Sequence, residues 1–486
     1  MNRNPLVATA VLAALPAALL AGCAPQPNAS DGPTDPRIDA IFADLAGDRP
    51  GAAVGVVMGG EVVHRGGYGT AHMDHGIPIT PGTVFDIASI SKQFGAMAAL
   101  LLESEGNLDL DADVRGYIAE LPDFGATITA RQLIHHTSGI RDWPHTMALG
   151  GIGFTDVISF EKILRMLYRQ EAINFPPNSE YAYSNTAYNL LARVIEVQSG
   201  MTFREYTESR IFGPLEMTRT HFSDDYLEIV PGRAESYAPM GLAEGLGDGE
   251  ATGDGFQRLP NQLTALASSS LHTSIDDFIR WMRNYETAQV GGEEMLRTMV
   301  QPGVLTNGDT LDYAYGLSVG DYRGLPTFGH GGSWVGYRTN FTRFPEQNLS
   351  IAVFCNVSDC DPAGRARRVA EVYIGDLMAE APEAPEPEPD TDVPNLTAEQ
   401  LREYEGSYRS PELDSTYDLE VDAEGRLVAG HWRNDPSVLT PTGEDEFTGD
   451  QWFLPAVRFV RDGAGRITGF TVTGVRVRDL IFERQP

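Results

Sequence analysis

A chain of 486 residues with 42% hydrophobic and 21% charged residues has an ordinary globular composition and is long enough for two or three domains. Its formal net charge of −32 gives a surface that repels phosphate backbones, so no nucleic-acid partner is expected. Only Lys92 and Lys162 are lysines, and every other basic residue is arginine. A lysine in such a chain suggests a task that arginine cannot perform, such as giving up a proton near neutral pH.

The N-terminus carries an export pattern. The apolar stretch Leu6–Leu20 is too short and too early for a good membrane span and predicts a secretory signal peptide. It ends in LAGC at Cys23, which resembles the lipobox of bacterial lipoproteins, whose cysteine is lipidated and becomes the first residue. We therefore predict a lipoprotein signal peptide over 1–23 and a Pro-rich tether over 24–36. The mature protein is predicted to be periplasmic and to be anchored by its lipid to the outer membrane. The alternative is a plain cleaved signal peptide with a chance cysteine.

The segments that follow predict an α/β domain. Two β-rich runs, Ala52–Met58 and Val62–Tyr68, are joined by Gly59-Gly60, which is a hairpin signal. A mostly helical stretch then extends to about residue 300, Leu349–Phe354 predicts a further strand, and Arg365–Met378 predicts a closing helix. Strands at both ends with helices between them indicate one antiparallel sheet, flanked by helices and completed by both ends of the domain, with a helical subdomain inserted.

Two boundaries divide the rest of the chain. The α/β domain is predicted over 37–380, and residues 381–395 are predicted to be a linker because repeated proline and like charge keep the chain extended. Residues 396–486 begin with a capping-box pattern at Thr397–Gln400 and continue with short, evenly spaced strands. They predict a small C-terminal antiparallel β-barrel.

The remaining cysteines are Cys355 and Cys360. Because Cys355 follows an apolar run, it is predicted to be a buried free thiol. The alternative is a disulfide with Cys360, which an oxidising compartment would permit. The histidines and cysteines lack the dense spacing of a metal site, so neither a metal nor a cofactor is expected.

The chemistry is predicted to lie in the S-x-x-K pattern of Ser89 and Lys92. Apolar residues recur after it at helical spacing, at Phe94, Met97, Ala98 and Leu101. Ser89 and Lys92 therefore share one face at the start of a helix, where the positive helix end disfavours the ammonium form of the lysine. A neutral lysine can accept the serine proton, and the same helix end can offer the Ser89 N–H to an oxyanion. The pattern alone is weak, because it arises often by chance.

Two further patterns strengthen this prediction. A Y-x-N pattern combines Tyr183, which can relay a proton, with Asn185, which can bind a substrate amide. The run GHGGS over 329–333 surrounds His330 with glycines that let the backbone approach a ligand closely. Taken singly, these residues are also typical of an aromatic core position, a turn and a structural histidine.

In this order the three patterns resemble those of the serine β-lactamase and penicillin-binding-protein superfamily, most closely its class C-like branch of family VIII esterases, D-aminopeptidases and D,D-carboxypeptidases. The resemblance covers roughly residues 36–380. It implies a β-lactamase-like fold in which Ser89 is the nucleophile, Lys92 and Tyr183 share the general-base and general-acid work, and Asn185 orients the substrate. It also implies an oxyanion hole made by the backbone N–H groups of Ser89 and Ser333.

One position departs from the antibiotic-hydrolysing members. They carry a lysine in Lys-Thr-Gly where this chain has His330 followed by Gly331 and Gly332. We predict that His330 and Gly332 contribute to substrate binding, but a largely neutral histidine attracts a carboxylate less than lysine does. An esterase or peptidase acting on small esters, amides or D-amino-acid peptides is therefore favoured. Weak β-lactamase activity is compatible with this prediction. Three other histidines are predicted to be structural, namely His135, His136 and His145.

Three functions stay open at this point. The first is a serine hydrolase that works through an acyl-enzyme. The second is a non-catalytic receptor for peptidoglycan or β-lactams, and the third is a ligand-binding barrel with an ancillary hydrolase. The run YEGSY over 404–408 resembles the lipocalin-like C-terminal domains of some family members. Such a domain either lines or gates the active site or serves as a passive stability or attachment module.

Overall fold

The computed structural model describes residues 32–242, 253–380 and 396–486. The predicted signal peptide with Cys23, most of the tether and the predicted linker lie outside the described residues, so these assignments stay predictions. Within the described ranges, no helix combines the length and the hydropathy needed to cross a bilayer.

The first domain contains one large sheet and several short strand pairs. In chain order its strands are β1 (Ala52–Met58), β2 (Glu61–Tyr68), β3 (Thr70–His72), β4 (Ile77–Pro78), β5 (Val84–Asp86), β6 (His221–Phe222), β7 (Tyr237–Pro239), β8 (Phe256–Arg258), β9 (Leu271–Ser274), β10 (Ser318–Tyr322), β11 (Leu325–Trp334), β12 (Tyr337–Phe344) and β13 (Leu349–Cys355). Its α-helices are α1 (Pro36–Ile41), α2 (Lys92–Ser104), α3 (Ala130–Ile134), α4 (Trp143–Leu149), α5 (Phe160–Leu167), α6 (Asn185–Ser199), α7 (Phe203–Thr207), α8 (Ile275–Thr287), α9 (Gly292–Met299) and α10 (Pro362–Ile374).

The large sheet is antiparallel and has the strand order β10-β11-β12-β13-β1-β2 in the described chain. Strand β1 joins the two ends of the domain, since Ala52 lies opposite Tyr68 of β2 on one side and opposite Cys355 of β13 on the other. The predicted α/β fold, with its sheet completed by both ends and helices inserted between them, is confirmed.

Hydrophobic layers cover both faces of this sheet. On one face, alternate residues such as Val54 and Val353 pack with α1 and α10. On the other face, Ala53 and Phe354 pack with α8 and the larger helical layer that contains α2 and α6. Burial from both sides explains why every residue of β13 is buried and all of them except Ser350 are apolar, rather than alternating with polar residues.

Cys355 and Cys360 form a disulfide, so the prediction of a free thiol is wrong. Cys355 ends β13, and the chain turns back before α10 so that the two Cα atoms lie 6.3 Å apart, with both side chains buried. The apolar run before Cys355 predicts its burial. The return of Cys360 depends on how α10 packs on the sheet, which sequence spacing does not reveal.

The C-terminal domain is a closed antiparallel barrel, as predicted. It opens with α11 (Ala398–Leu401), whose N-terminus is the predicted capping box of Thr397 and Gln400. Its strands are β14 (Gly406–Ser410), β15 (Ser415–Val421), β16 (Leu427–Gly430), β17 (Ser437–Gly443), β18 (Glu446–Gly449), β19 (Val457–Arg461), β20 (Ile467–Val472) and β21 (Leu480–Arg484). Buried aromatic side chains fill its interior, among them Tyr408, Phe459, Phe470 and Phe482.

The barrel docks on α4 of the first domain. Leu149, at the end of α4, is fully buried in the hydrophobic core of the barrel, and its carbonyl accepts the Tyr417 hydroxyl at 3.1 Å. Nearby, Arg141 and Glu412 form a buried ion pair at 2.5 Å. These contacts bring the β20–β21 loop, residues 473–479, against the first domain.

Candidate active site

Ser89 lies on the 3-10 turn Ala88–Ser91 that leads directly into α2. The preceding residue, Ala88, has a φ of 47°, a left-handed conformation that costs a non-glycine residue roughly 1–2 kcal/mol. The buried carboxylate of Asp86 stabilises the turn by accepting the Ala88 N–H at 2.8 Å. Burial raises the pKa of Asp86 to about 6, against the opposing effect of its hydrogen bonds. A strained backbone held in this way indicates a functional position.

Lys92 begins α2 and is completely buried. Its Nζ lies 3.2 Å from Ser89 Oγ, 2.7 Å from Asn185 Oδ1 and 2.8 Å from the carbonyl oxygen of Ser268. Burial lowers the pKa of Lys92 well below its usual range, while the charge of Asp142 raises it. The lysine therefore has the contacts and the electrostatic environment of a proton acceptor for Ser89.

Tyr183 lies in the loop before α6, with its ring centroid 4.7 Å from Lys92 Nζ. Burial raises the pKa of Tyr183, and a hydrogen bond with Ser89 acts against that rise. His136 supports the loop, since its Nδ1 accepts the Ser184 N–H at 3.1 Å and its ring lies 4.2 Å from the ring of Tyr183. His136 is thus a structural histidine that positions Tyr183.

Asn185 is the first residue of α6, and Asp142 fixes its side chain. The Asp142 carboxylate accepts the Asn185 N–H at 2.7 Å and its Nδ2 amide at 3.1 Å. With Nδ2 held in this way, Oδ1 of Asn185 faces Lys92. Asp142 is not predicted from the sequence, because nothing in its local pattern marks a fully buried acid.

Strand β11 lies along the serine turn and carries the GHGGS residues. A Cβ on Gly332 would collide with the Thr339 hydroxyl and the Ile87 carbonyl, so only glycine lets the strand come this close. The Thr339 hydroxyl donates to that same carbonyl at 2.9 Å and links the sheet to the turn. Ser333 follows Gly332 at the edge of the cavity described below.

His330 lies on β11 with its Nε2 3.1 Å from the Tyr313 hydroxyl. Burial, together with the neighbouring Lys92, lowers the pKa of His330 to about 4. The contact of Nδ1 with the Gly331 carbonyl at 2.5 Å acts against this lowering. A pKa this low favours the neutral imidazole at pH 7, and the role of His330 in substrate binding stays a prediction.

A cavity of about 680 Å³ lies over these residues. Its polar side chains include Ser89, Tyr183, Asn185, His330 and Ser333. Its apolar walls include Trp143, Phe154, Leu263, Trp334 and Trp452. The structure thus gathers every described residue that the sequence analysis assigned to the site, with Lys92 buried beneath Ser89; their individual roles stay predictions.

The barrel contributes to this cavity through Trp452 and Arg476. Arg476 lies in the β20–β21 loop, with its guanidinium carbon 4.8 Å from the Tyr183 ring centroid. Its Nη1 donates to Asp142 at 3.2 Å, and its carbonyl accepts the Asp142 N–H at 3.1 Å. Neither barrel residue could be recognised from sequence, since each reaches the site only through the docking of the two domains.

A serine in contact with a buried lysine at the base of a cavity, on a β-lactamase-like fold, defines the class of serine acyl-transfer enzymes. The model of the family described as Beta-lactamase matches residues 38–374, and the chain belongs to that family.

Curated relatives are similar to this chain in sequence, and a solved structure shares its fold. A D-aminopeptidase of Gluconobacter oxydans (strain 621H) is 28% identical over a region that covers 71% of this chain and 61% of that protein, less than two thirds of its length. A D-aminopeptidase of Brucella ovis is 26% identical, covering 82% of this chain and 70% of that protein. The octameric penicillin-binding protein homologue from Pyrococcus abyssi has the same fold, with a TM-score of 0.60, 23% identity, and coverage of 92% of this chain and 98% of that one.

Proposed function

We propose that this protein is a serine hydrolase that cleaves small esters or amides, including amides of D-amino acids, through an acyl-enzyme on Ser89. The D-aminopeptidase relatives support the amide and D-amino-acid part of the proposal. The contacts of Lys92 carry the catalytic part.

The surroundings of Lys92 fit a neutral amine. A neutral amine has two N–H donors and one lone pair, whereas an ammonium has three donors. Two carbonyl oxygens, Asn185 Oδ1 and Ser268 O, lie within 2.8 Å of Nζ and take the two N–H groups. The lone pair is then left for the third neighbour, the Ser89 hydroxyl, which is the arrangement needed to accept its proton.

The reaction follows from this arrangement. Lys92 takes the Ser89 proton as Oγ bonds to the substrate carbonyl carbon, and the backbone N–H groups of Ser89 and Ser333 stabilise the oxyanion. The proton then passes through the Tyr183 hydroxyl to the leaving nitrogen or oxygen as the scissile bond breaks. Water next attacks the ester on Ser89, gives a proton back through the same groups, and releases the acid with Ser89 restored.

Covalent labelling tests the nucleophile. A fluorophosphonate should add to Ser89, as located by mass spectrometry of peptides, and Ser89→Ala should abolish labelling. Ser269→Ala is the matched control, because Ser269 lines the same cavity and its hydroxyl makes no hydrogen bond to Lys92. An adduct on Ser91 or Ser138 would overturn the assignment.

A substrate panel separates the enzyme from the receptor alternative. It should contain a short-chain p-nitrophenyl ester, p-nitroanilides of D- and L-alanine, N-acyl D-peptides and a chromogenic cephalosporin. Turnover of at least one substrate, lost in Ser89→Ala, supports the hydrolase. Stoichiometric labelling without turnover of any of them would identify a receptor instead.

We also propose that lipidation at Cys23 anchors the enzyme in the periplasm, at the outer membrane. The sequence LAGC after an apolar export segment supports this location.

A further inference from the structure

Arg476 is the one formally charged side chain among the described residues that line the active-site cavity. His330 is neutral, because its pKa lies near 4, and Lys92 is buried beneath the cavity with a lowered pKa. No carboxylate is among those lining residues, so they offer no anionic partner to a substrate ammonium.

The loop of Arg476 is anchored firmly to the first domain. The Arg476 carbonyl accepts the Asp142 N–H and the Asn174 side-chain amide, both at 3.1 Å. Two residues further along, the Arg478 N–H donates to the Asn174 side chain at 2.8 Å. A side chain held on such a backbone is positioned before a substrate arrives, which reduces the entropy lost on binding.

The guanidinium of Arg476 keeps donors free for a ligand. Its carbon lies over the Tyr183 ring, and only Nη1 donates a hydrogen bond, to Asp142, whose oxygens also accept the backbone N–H and the side-chain amide of Asn185. Within the described residues, Nε and Nη2 of Arg476 have no hydrogen-bond partner, and its side chain is 45% exposed. A guanidinium edge with two free donors matches the two oxygens of a carboxylate.

We propose that Arg476, supplied by the barrel, binds a carboxylate of the substrate, so that the enzyme prefers carboxylate-bearing, N-acylated substrates over amides with a free ammonium. This inference rests on the proposed hydrolase function. It revises the expectation based on His330 alone, because the cation missing from β11 is provided by the β20–β21 loop.

Matched substrates test the preference. One pair places the carboxylate on the acyl side and compares N-succinyl-D-alanine p-nitroanilide with N-acetyl-D-alanine p-nitroanilide. D-alanine p-nitroanilide is added as the cationic substrate. The other pair places it on the leaving side, N-acetyl-D-Ala-D-Ala against its C-terminal amide. In at least one pair the anionic member should have a kcat/KM higher by about tenfold or more, as expected for a charge-assisted hydrogen bond. A ratio at or below one in both pairs would overturn the proposal.

Variants assign the preference to Arg476. Arg476→Gln should bring the anionic-to-neutral ratio close to one, and Arg476→Lys should retain part of it. Arg478→Gln is the matched control, because this arginine of the same loop pairs with Glu180 at 2.8 Å and does not line the cavity. A ratio that survives Arg476→Gln, or that falls equally in Arg478→Gln, contradicts the proposal. Because a ratio is compared, a general loss of activity caused by removing the arginine partner of Asp142 affects both substrates and cancels.

Competition with labelling keeps this inference distinct from the proposed function. If Ser89 labels with fluorophosphonate but no substrate is turned over, the hydrolase proposal fails while binding can still be measured. N-acetyl-D-Ala-D-Ala or N-succinyl-D-alanine p-nitroanilide should then slow labelling of the wild-type protein more than its uncharged partner does, and Arg476→Gln should remove the difference. Equal protection by charged and uncharged compounds in the wild type would refute the carboxylate site by itself.

Discussion

Replacing Lys92 with arginine removes the ability to lose a proton and keeps the positive charge. Two carbonyl oxygens already accept hydrogen bonds from Nζ, and an arginine can still donate to them. What it cannot do is present a lone pair to Ser89 Oγ, which lies 3.2 Å from Nζ. The substitution therefore isolates the step in which the serine proton is accepted.

The expected loss follows from the role of a general base. Losing such a group lowers kcat by about 10²- to 10⁴-fold, which corresponds to about 2.7–5.4 kcal/mol of transition-state stabilisation. In the wild type, kcat/KM should also fall about tenfold per pH unit below the lowered pKa of Lys92, because protonation disables the base. The residual activity of Lys92→Arg should lack this limb.

Initial rates with a neutral p-nitrophenyl ester across pH, together with the rate of fluorophosphonate labelling, measure both effects. The chain offers a matched control in Lys162→Arg, because Lys162 is its one other lysine and, among the described residues, its Nζ makes a hydrogen bond only to the Val157 carbonyl. Lys92→Met shows whether loss of the base without a retained charge has the same effect. Near-normal turnover in Lys92→Arg, with an unchanged melting temperature, would refute the reasoning and leave the lysine a structural role.

Three further predictions concern other parts of the molecule. Gly332→Ala should push β11 away from the serine turn and lower kcat/KM by about 10²-fold. In the control Gly331→Ala the new Cβ would meet nothing closer than 3.9 Å, so kcat/KM and the labelling rate should stay within a few fold of the wild type. Equal losses in the two variants would contradict the close approach. Asp142→Asn removes the charge that raises the pKa of Lys92, so the acid limb of kcat/KM should move to lower pH, and a shift to higher pH would show the electrostatic argument to be wrong. The wild-type protein should partition into detergent and fractionate with membranes, while Cys23→Ser should release it or block its processing; aqueous partitioning of the wild type would indicate an ordinary signal peptide.

The parts of the site predicted from sequence are those set by local spacing. Ser89 and Lys92 are three residues apart on one turn, and Tyr183 and Asn185 flank a single residue at the start of a helix. Such pairs keep their geometry wherever the fold places them. The glycines beside His330 likewise predict a close backbone approach. The sequence does not reveal that the group approached is the Ile87 carbonyl.

The parts that could not be predicted depend on packing between distant segments. Asp142 becomes a partner of Asn185 only because α4 and α6 pack together, and Arg476 reaches the cavity only because the barrel accepts Leu149 into its core. The fold itself was predictable for a related reason. Continuous apolar strands at both ends of the first domain have to pair in one sheet, since each would otherwise leave a buried edge without hydrogen-bond partners.

The pairing of β1 with β13 has a consequence for how the chain is made. The β1–β2 hairpin leaves the ribosome early, yet the second edge of β1 has no partner until nearly the whole first domain has been synthesised. Pairing between segments so distant in sequence is slow, and an apolar strand with an open edge recruits strands from other molecules. Prolonged contact with holding chaperones during biogenesis is therefore expected, and a chain terminated before β13 should aggregate or be degraded rather than persist as a smaller enzyme.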